Sequence, residues 1–360
     1  MEKKKKEYVR IIVLAVFTLV LIISTIFSAS ISLGLKKLLY KTGVKICDNE
    51  LVVHFVDVGQ GDASIITFPN GQTMMIDSGP KSSENNLIEY IRDNVKSISN
   101  NKIIDYLIVT HPDADHSGGM CAVFKNFEVK SFYRPNIASK DEDLANFVAG
   151  SNVNEYNEVI NTSKDEAGLT TKLINQNYTL EIGGAKVEIF APLRVYSTSN
   201  SMSPVIKVSY LGKSFLFAGD IQVDAEQDML TQYSTLLDAD VLKVAHHGSD
   251  TSSSDQFIAQ VSPKYAIISA GSPNSYGHPS YTTIDTLQKH NATIIKTHDN
   301  VVRFSIGDQG LELLDDDTVI SIVFVGWEII SIILISILIA VEAILIVRLA
   351  RYNNRITIDK

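Results

Sequence analysis

Four side chains able to hold a metal ion fall within six residues, in the run Thr110-His111-Pro112-Asp113-Ala114-Asp115-His116-Ser117-Gly118-Gly119. The run directly follows 103–110, a largely apolar stretch that predicts a strand buried on both faces. A polar loop at the end of such a strand, kept tight by Pro112 and small residues, lets its ligands converge; on an exposed helix the same side chains would fan outward. Imidazole nitrogens and carboxylate oxygens in this mixture suit Zn, Mn or Fe. The chain must therefore build a frame rigid enough to carry one strand end to a metal.

The surrounding pattern supplies such a frame by alternating strands with helices. Segments 51–58, 63–68 and 73–76 read as strands, the last two joined as a hairpin through Pro69-Asn70-Gly71. Leu87, Ile88 and Ile91 share one face of a helix predicted over 83–94. The segment 136–176, rich in Asn, Ser, Asp and Glu, reads as exposed helices and loops, where substrate choice would be made. Strands resume at 178–182, 186–190, 205–211 and 214–218, then at 241–245, 265–269, 293–296 and 301–306. Helices are predicted at 223–237, near 254–261 and at 282–289. Two βα-rich halves of this kind predict an α/β fold with layers of helix, sheet, sheet and helix.

Both ends of the chain are different in kind. Residues 9–33 carry no charge except Arg10, and 329–347 none except Glu342, each close to the roughly 20 helical residues that cross a bilayer. Ser28-Ala29-Ser30 could serve as a signal cleavage site, but the first run exceeds the roughly 7 to 15 residues of a signal core and reads as an uncleaved anchor. The expected order is a basic cytoplasmic N-terminus over 1–8, a transmembrane helix over 9–33 and a linker over 34–50. The main domain follows over 51–315, then a second transmembrane region over 319–347 and a basic cytoplasmic tail over 348–360. Orientation rests on the second span, because Arg348, Arg351 and Arg355 follow it while no Lys or Arg lies between Arg303 and the span. Both termini are then cytoplasmic, the central domain is extracytoplasmic, and the expected location is the cell membrane.

Charge narrows the partners. The whole chain carries a formal −9, but residues 47–317 hold 36 acidic against 19 basic residues, so the basic groups cluster near the membrane. An acidic surface repels polyanions at long range, and sequence-blind nucleic-acid binding normally needs a basic face. Any nuclease activity must consequently come from the local site and its metals. Cys47 and Cys121 are the two cysteines, too few for a disulfide scaffold, and Cys121 reads as a small buried hydrophobe.

Several further segments accompany the ligand loop: Val56-Asp57-Val58-Gly59-Gln60-Gly61-Asp62-Ala63, Ile76-Asp77-Ser78-Gly79, Phe217-Ala218-Gly219-Asp220, Leu242-Lys243-Val244-Ala245-His246-His247-Gly248-Ser249 and Tyr276-Gly277-His278-Pro279. The loop resembles the metal-binding signature of the metallo-β-lactamase superfamily, with Asp113 where many members have His. The series as a whole resembles the hydrolase domain of ComEC-type competence proteins, over roughly residues 51–306. The resemblance implies a four-layer αββα metallo-β-lactamase fold and two divalent metal ions, Zn or Mn. It implies that His111 and Asp113 hold one ion, Asp115 and His116 the other, and that Asp220 bridges them. His278 or His247 completes the second site, with His278 favoured; His246 and His247 are candidates, with Asp115, for substrate binding and proton transfer. Asp57, Gln60 and Asp62 are placed to line the cleft, Asp77 to steady the ligand loop, and Asn200 and Ser203 to position Asp220. No His occurs between Ser117 and Ala245, where many members supply one more nitrogen, which shifts the first site towards oxygen donors and Mn.

Three functions follow as expectations. The first is a nuclease or other phosphodiesterase, acting on DNA as the ComEC hydrolase domain does. The second is a surface esterase releasing phosphorylcholine from teichoic acid, whose cationic head group suits an acidic domain. The third is a non-catalytic binding module on the same fold. Two helices cannot enclose a pore of DNA size, so transport would need a channel partner. A true β-lactamase fits poorly, given Asp113 and the His246-His247-Gly248-Ser249 segment.

Overall fold

The hairpin predicted around Asn70 forms, and the first sheet grows outward from it. The computed structural model describes residues 50–135, 153–298 and 302–314. Strands β1 (Leu51–Phe55), β2 (Ser64–Thr67), β3 (Thr73–Ile76), β4 (Ile103–Ile108), β5 (Glu128–Arg134) and β6 (Thr170–Leu173) lie side by side in chain order. Strands β7 (Tyr178–Ile182), β8 (Ala185–Phe190), β9 (Val205–Tyr210), β10 (Lys213–Phe217), β11 (Val241–Lys243), β12 (Tyr265–Ile268) and β13 (Thr293–Lys296) make a second sheet, again in chain order. The chain then returns to the first sheet, where β14 (Val302–Gly307) pairs antiparallel with β1 and β15 (Gly310–Leu313) forms the edge.

Each sheet begins antiparallel and turns parallel where helices intervene. β3, β4, β5 and β6 run parallel in the first sheet, as do β10, β11, β12 and β13 in the second. Helices α1 (Glu84–Asn94), α2 (Lys96–Asn101), α3 (Ala114–Ser117), α4 (Met120–Asn126) and α5 (Val153–Lys164) belong to the first half; α6 (Val223–Tyr233), α7 (Asp255–Val261) and α8 (Tyr281–Lys289) belong to the second. Leu87, Ile88 and Ile91 of α1 pack with Met75, Leu107 and Phe132 of the first sheet. Ala225, Phe257 and Leu287 pack likewise against Leu216 and Leu242 of the second. Between the sheets a largely aliphatic core holds an aromatic cluster, in which Phe55 stacks on Phe217 at 5.8 Å and meets Phe304 edge-on at 6.2 Å. The four predicted layers are present.

Two expectations need correction. The segment around 136–176 is not merely exposed, because Tyr156, Val159 and Ile160 of α5 enter the core and β6 adds an edge strand. Cys121 is half-buried, its Sγ 3.6 Å from Thr162 Oγ1, because α4 and α5 meet there without fully covering it. Both expected membrane spans and their flanks fall outside the described residues, none of whose helices is long and apolar enough to cross a membrane.

Candidate metal centre

The strands end in loops that meet at one end of the sandwich. The β4 end carries His111 to His116, the β10 end Asp220, the β11 end His246 and His247, and the loop after β1 carries Asp62. The ligand loop is fixed by its own backbone: His116 N and Ser117 N donate to Asp113 O at 3.0 and 2.9 Å, and Ser117 Oγ donates to Pro112 O. Neighbouring loops clamp it from outside. Asp62 N donates to Asp115 O at 3.1 Å, and Ser78 N to His116 O at 2.8 Å. These approaches require glycine at two places, since a Cβ on Gly61 would collide with the Asp115 carbonyl and one on Gly119 would stand 2.5 Å from Ser78 O.

The hydrogen bonds on the far side of each imidazole decide which nitrogen faces inward. Ser269 O can only accept, so His247 Nδ1 donates to it at 2.8 Å and Nε2 is left bare. Asp77 accepts from Thr110 N and Thr110 Oγ1 and stands 2.8 Å from His116 Nδ1, which fixes the His116 proton there and bares Nε2. With its own proton given to Asp77, Thr110 Oγ1 accepts from His111 Nδ1 at 3.1 Å, so His111 Nε2 is bare as well. The Ser269 carbonyl and the Asp77 carboxylate are of the kind that orient metal-bound histidines.

The bare nitrogens converge on Asp220. His116 Nε2 lies 3.3 Å from Asp220 Oδ1, while His247 Nε2 and His111 Nε2 lie 3.4 and 3.8 Å from Oδ2. His116 Nε2 and His247 Nε2 face each other at 3.3 Å, an arrangement of two lone pairs that needs a positive charge between them. Asp115 Oδ2 is 3.1 Å from His247 Nε2, and Asp113 Oδ2 is 3.7 Å from His111 Nε2. His111 Nε2 and Asp220 Oδ1 are buried without a hydrogen-bond partner. Orphaned, inward-facing nitrogen and carboxylate donors of this kind fit divalent cations. One ligand atom from each of Asp62, His116, Asp220 and His247 falls within a common 4.8 Å.

The field of the site points the same way. Burial opposes charge on His247, but Asp220, Asp62 and Asp115 outweigh it and raise its pKa to about 10. Burial likewise opposes charge on His116, and Asp220 and Asp77 still hold it well above the usual range. The carboxylates respond in kind despite burial: the histidines keep Asp220 well below the ordinary carboxylate range and bring Asp115 to about 2. Without a cation the cluster retains protons in its place.

His278 takes another position. Its ring stacks near-parallel on His247 with centroids 6.3 Å apart, and lies 5.6 Å from His246, outside the tight donor group. His246 is held by Asn200 Nδ2, 3.0 Å from its Nε2, and by Thr251 Oγ1, 3.0 Å from its Nδ1. Burial lowers the pKa of both His246 and His278. Ser203 Oγ accepts from Asp220 N at 3.2 Å and also approaches His111 Nδ1, while Ser199 Oγ donates to Asp113 Oδ1. The turn 199–203 thus supports the first ligand pair with the hydroxyls of Ser199 and Ser203, from a stretch of chain that holds no histidine.

Of the residues expected to line the cleft, Asp57 is exposed and accepts from Gly59 N, and Gln60 accepts from Gly271 N. Asp62 goes deeper, paired with buried Lys243 at 2.7 Å and 3.3 Å from His247 Nδ1. Lys243 was not singled out from sequence; its signal is a lone cation in the apolar run Val241-Leu242-Lys243-Val244. The cleft above these groups measures about 510 Å³ and is lined by Gln60, Asp115, Asp220, His246, His247 and Tyr276, among others.

Residues 56–272 match the profile of the metallo-beta-lactamase superfamily. The chain is similar to ComE operon protein 3 of Bacillus subtilis, 29% identical over 69% of this chain and 32% of that protein. It is also similar to competence protein ComA of Neisseria gonorrhoeae, 27% identical over 74% of this chain and 34% of that protein. The chain thus spans about a third of the length of these relatives. Among solved structures, the metallo-beta-lactamase fold protein YhfI from Bacillus subtilis aligns with a TM-score of 0.43 at 10% identity, over 69% of this chain and 96% of that one. With its profile match and its two-sheet frame, the chain belongs to the metallo-β-lactamase superfamily, and it resembles the competence proteins within it.

Proposed function

We propose that the chain is a membrane-anchored, extracytoplasmic phosphodiesterase that uses two divalent cations, Zn or Mn, and acts on DNA. The observation that carries this reading is Asp220, buried among three bare imidazole nitrogens with the Asp113 and Asp115 carboxylates beside them. Hard, oxygen-rich sites favour phosphoryl oxygens over softer targets. When bound, the cations would acidify a water towards neutral pH and offset negative charge developing on phosphorus. Asp115, with about a third of its side chain open to the cleft, is placed to accept the water's proton. His246 lines the same cleft with its two ring nitrogens engaged by Asn200 and Thr251, and would exchange one of these bonds to bind the scissile phosphate or serve the leaving oxygen. The resemblance to the hydrolase domain of ComEC-type competence proteins, together with the similarity to competence protein ComA, supports DNA as the substrate. The two apolar runs anchor the domain in lipid, and passage of DNA would need a partner that forms the channel.

One observation favours a second reading. The excess of acidic residues over 47–317 suits a cationic head group, as in a phosphorylcholine ester of a wall polymer. Full-length protein in detergent, supplied with Mn or Zn, separates the two when given labelled single-stranded DNA and a chromogenic phosphorylcholine ester. Metal-dependent cleavage of the DNA supports the nuclease reading. Selective release of phosphorylcholine moves the protein to wall remodelling, and silence on both in a metal-loaded protein contradicts both substrates and favours another one or the non-catalytic module.

A further inference from the structure

The loop between β12 and α8 does more than bring His278 near the centre. Tyr276 is 69% exposed, yet its backbone is not free. The Asn274 side chain accepts from Tyr276 N and His278 N, both at 3.1 Å, and donates to Gly271 O and His278 O at 2.7 and 2.6 Å. A single amide thus ties the loop at four points and holds the tyrosine out in a set place. The ring of Tyr276 lies on His278, with centroids 5.7 Å apart and planes 25° from parallel. His278 in turn lies 24° from parallel with His247. Three rings thus form a row that leads to the metal centre, and the outermost, Tyr276, is the exposed one.

We propose that Tyr276 is a stacking platform for a nucleobase of a single-stranded substrate, next to the phosphate held at the metal centre. The proposal rests on the phosphodiesterase reading above and names the substrate class of that site. A fixed aromatic face in the path of a strand suits base stacking, which tolerates any sequence because every base offers a π-face. Among the described residues lining the cleft, Tyr276 is the one aromatic besides the histidines. A quaternary ammonium group is instead enclosed by a cage of aromatic rings, so the same observation weighs against a choline head group. It also supplies affinity that the acidic surface withholds: stacking needs no basic face.

The test is equilibrium binding, read by fluorescence anisotropy on full-length protein in detergent with EDTA, so that cleavage plays no part. The probes are a short oligothymidylate and the same backbone with its bases removed. The wild type is expected to bind the base-bearing strand more tightly, and Tyr276→Ala to weaken that binding by roughly 5- to 150-fold, the range a lost base–aromatic stack gives. Tyr276→Ala should leave the abasic strand within about twofold, and Tyr276→Trp should keep the preference. Equal wild-type affinity for the two strands, including none measurable for either, overturns the platform, and so does an equal loss for both in Tyr276→Ala. Failure to hydrolyse any phosphodiester would sink the catalytic reading and leave this binding result standing, so the two failures are distinguishable.

Discussion

Asp77 acts on the centre from behind its histidines, on His116 directly and on His111 through Thr110 Oγ1, so its contribution is separable from that of the ligands. Removing an outer partner of this kind typically weakens metal binding 10- to 100-fold. Asp77→Asn should therefore lower the affinity for Zn by about that factor in chelator competition, with the fold retained by circular dichroism. His54 gives a prediction of pH dependence away from the metal. It is buried beside Tyr90 and faces Arg303 across the β1–β14 ladder; burial first, then Arg303, lowers its pKa from 6.5 to about 3. The unfolded chain therefore binds the extra proton between those values, and folding stability falls as pH drops below about 6.5. One proton changes stability by about 1.4 kcal/mol per pH unit in that window. Denaturant unfolding at pH 7 and 5.5 should show a smaller loss for His54→Gln than for the wild type; an equal loss removes His54 as the source.

At the scale of elements, the buried Lys243–Asp62 pair joins β11 to the loop after β1 behind His247. Lys243→Met leaves the Asp62 carboxylate buried without its cation, and breaking such a pair costs about 3–5 kcal/mol. The expected outcome is a fall in thermal midpoint of several degrees, with metal affinity reduced because Asp62 no longer steadies His247. The ligand loop was legible in the sequence because its four donors are neighbours along the chain and follow a strand. The place of Asp62 was not, since it depends on two loops about 185 residues apart meeting at His247. The sequence favours His278 over His247 for the same reason: both follow strands, and only packing shows that His247 is the one brought into the donor group. Strand β5 was missed because Glu128 and Lys130 interrupt the apolar run, although their exposed positions alternate with buried Val129 and Phe132. β6 is short, with two exposed threonines at its start, and carries almost no pattern to read.

For the whole molecule, the predicted layers followed from alternation of strand and helix, while the predicted spans at both ends rest on hydropathy and flanking charge alone. The acidic domain should make encounter with DNA improve with moderate salt, because screening reduces repulsion within a Debye length of about 8 to 10 Å. Cleavage rates for DNA at low substrate are expected to rise between about 10 and 150 mM NaCl, opposite in sign to a protein that binds through a basic face. A steep fall over the same range would show a basic contact surface. The most direct test is the metal content of purified full-length protein after loading with Zn or Mn and gel filtration, beside Asp220→Ala. About two equivalents per chain in the wild type and less than one in the variant are expected. A wild type that retains no metal, or a variant that retains as much, would contradict a centre built around Asp220.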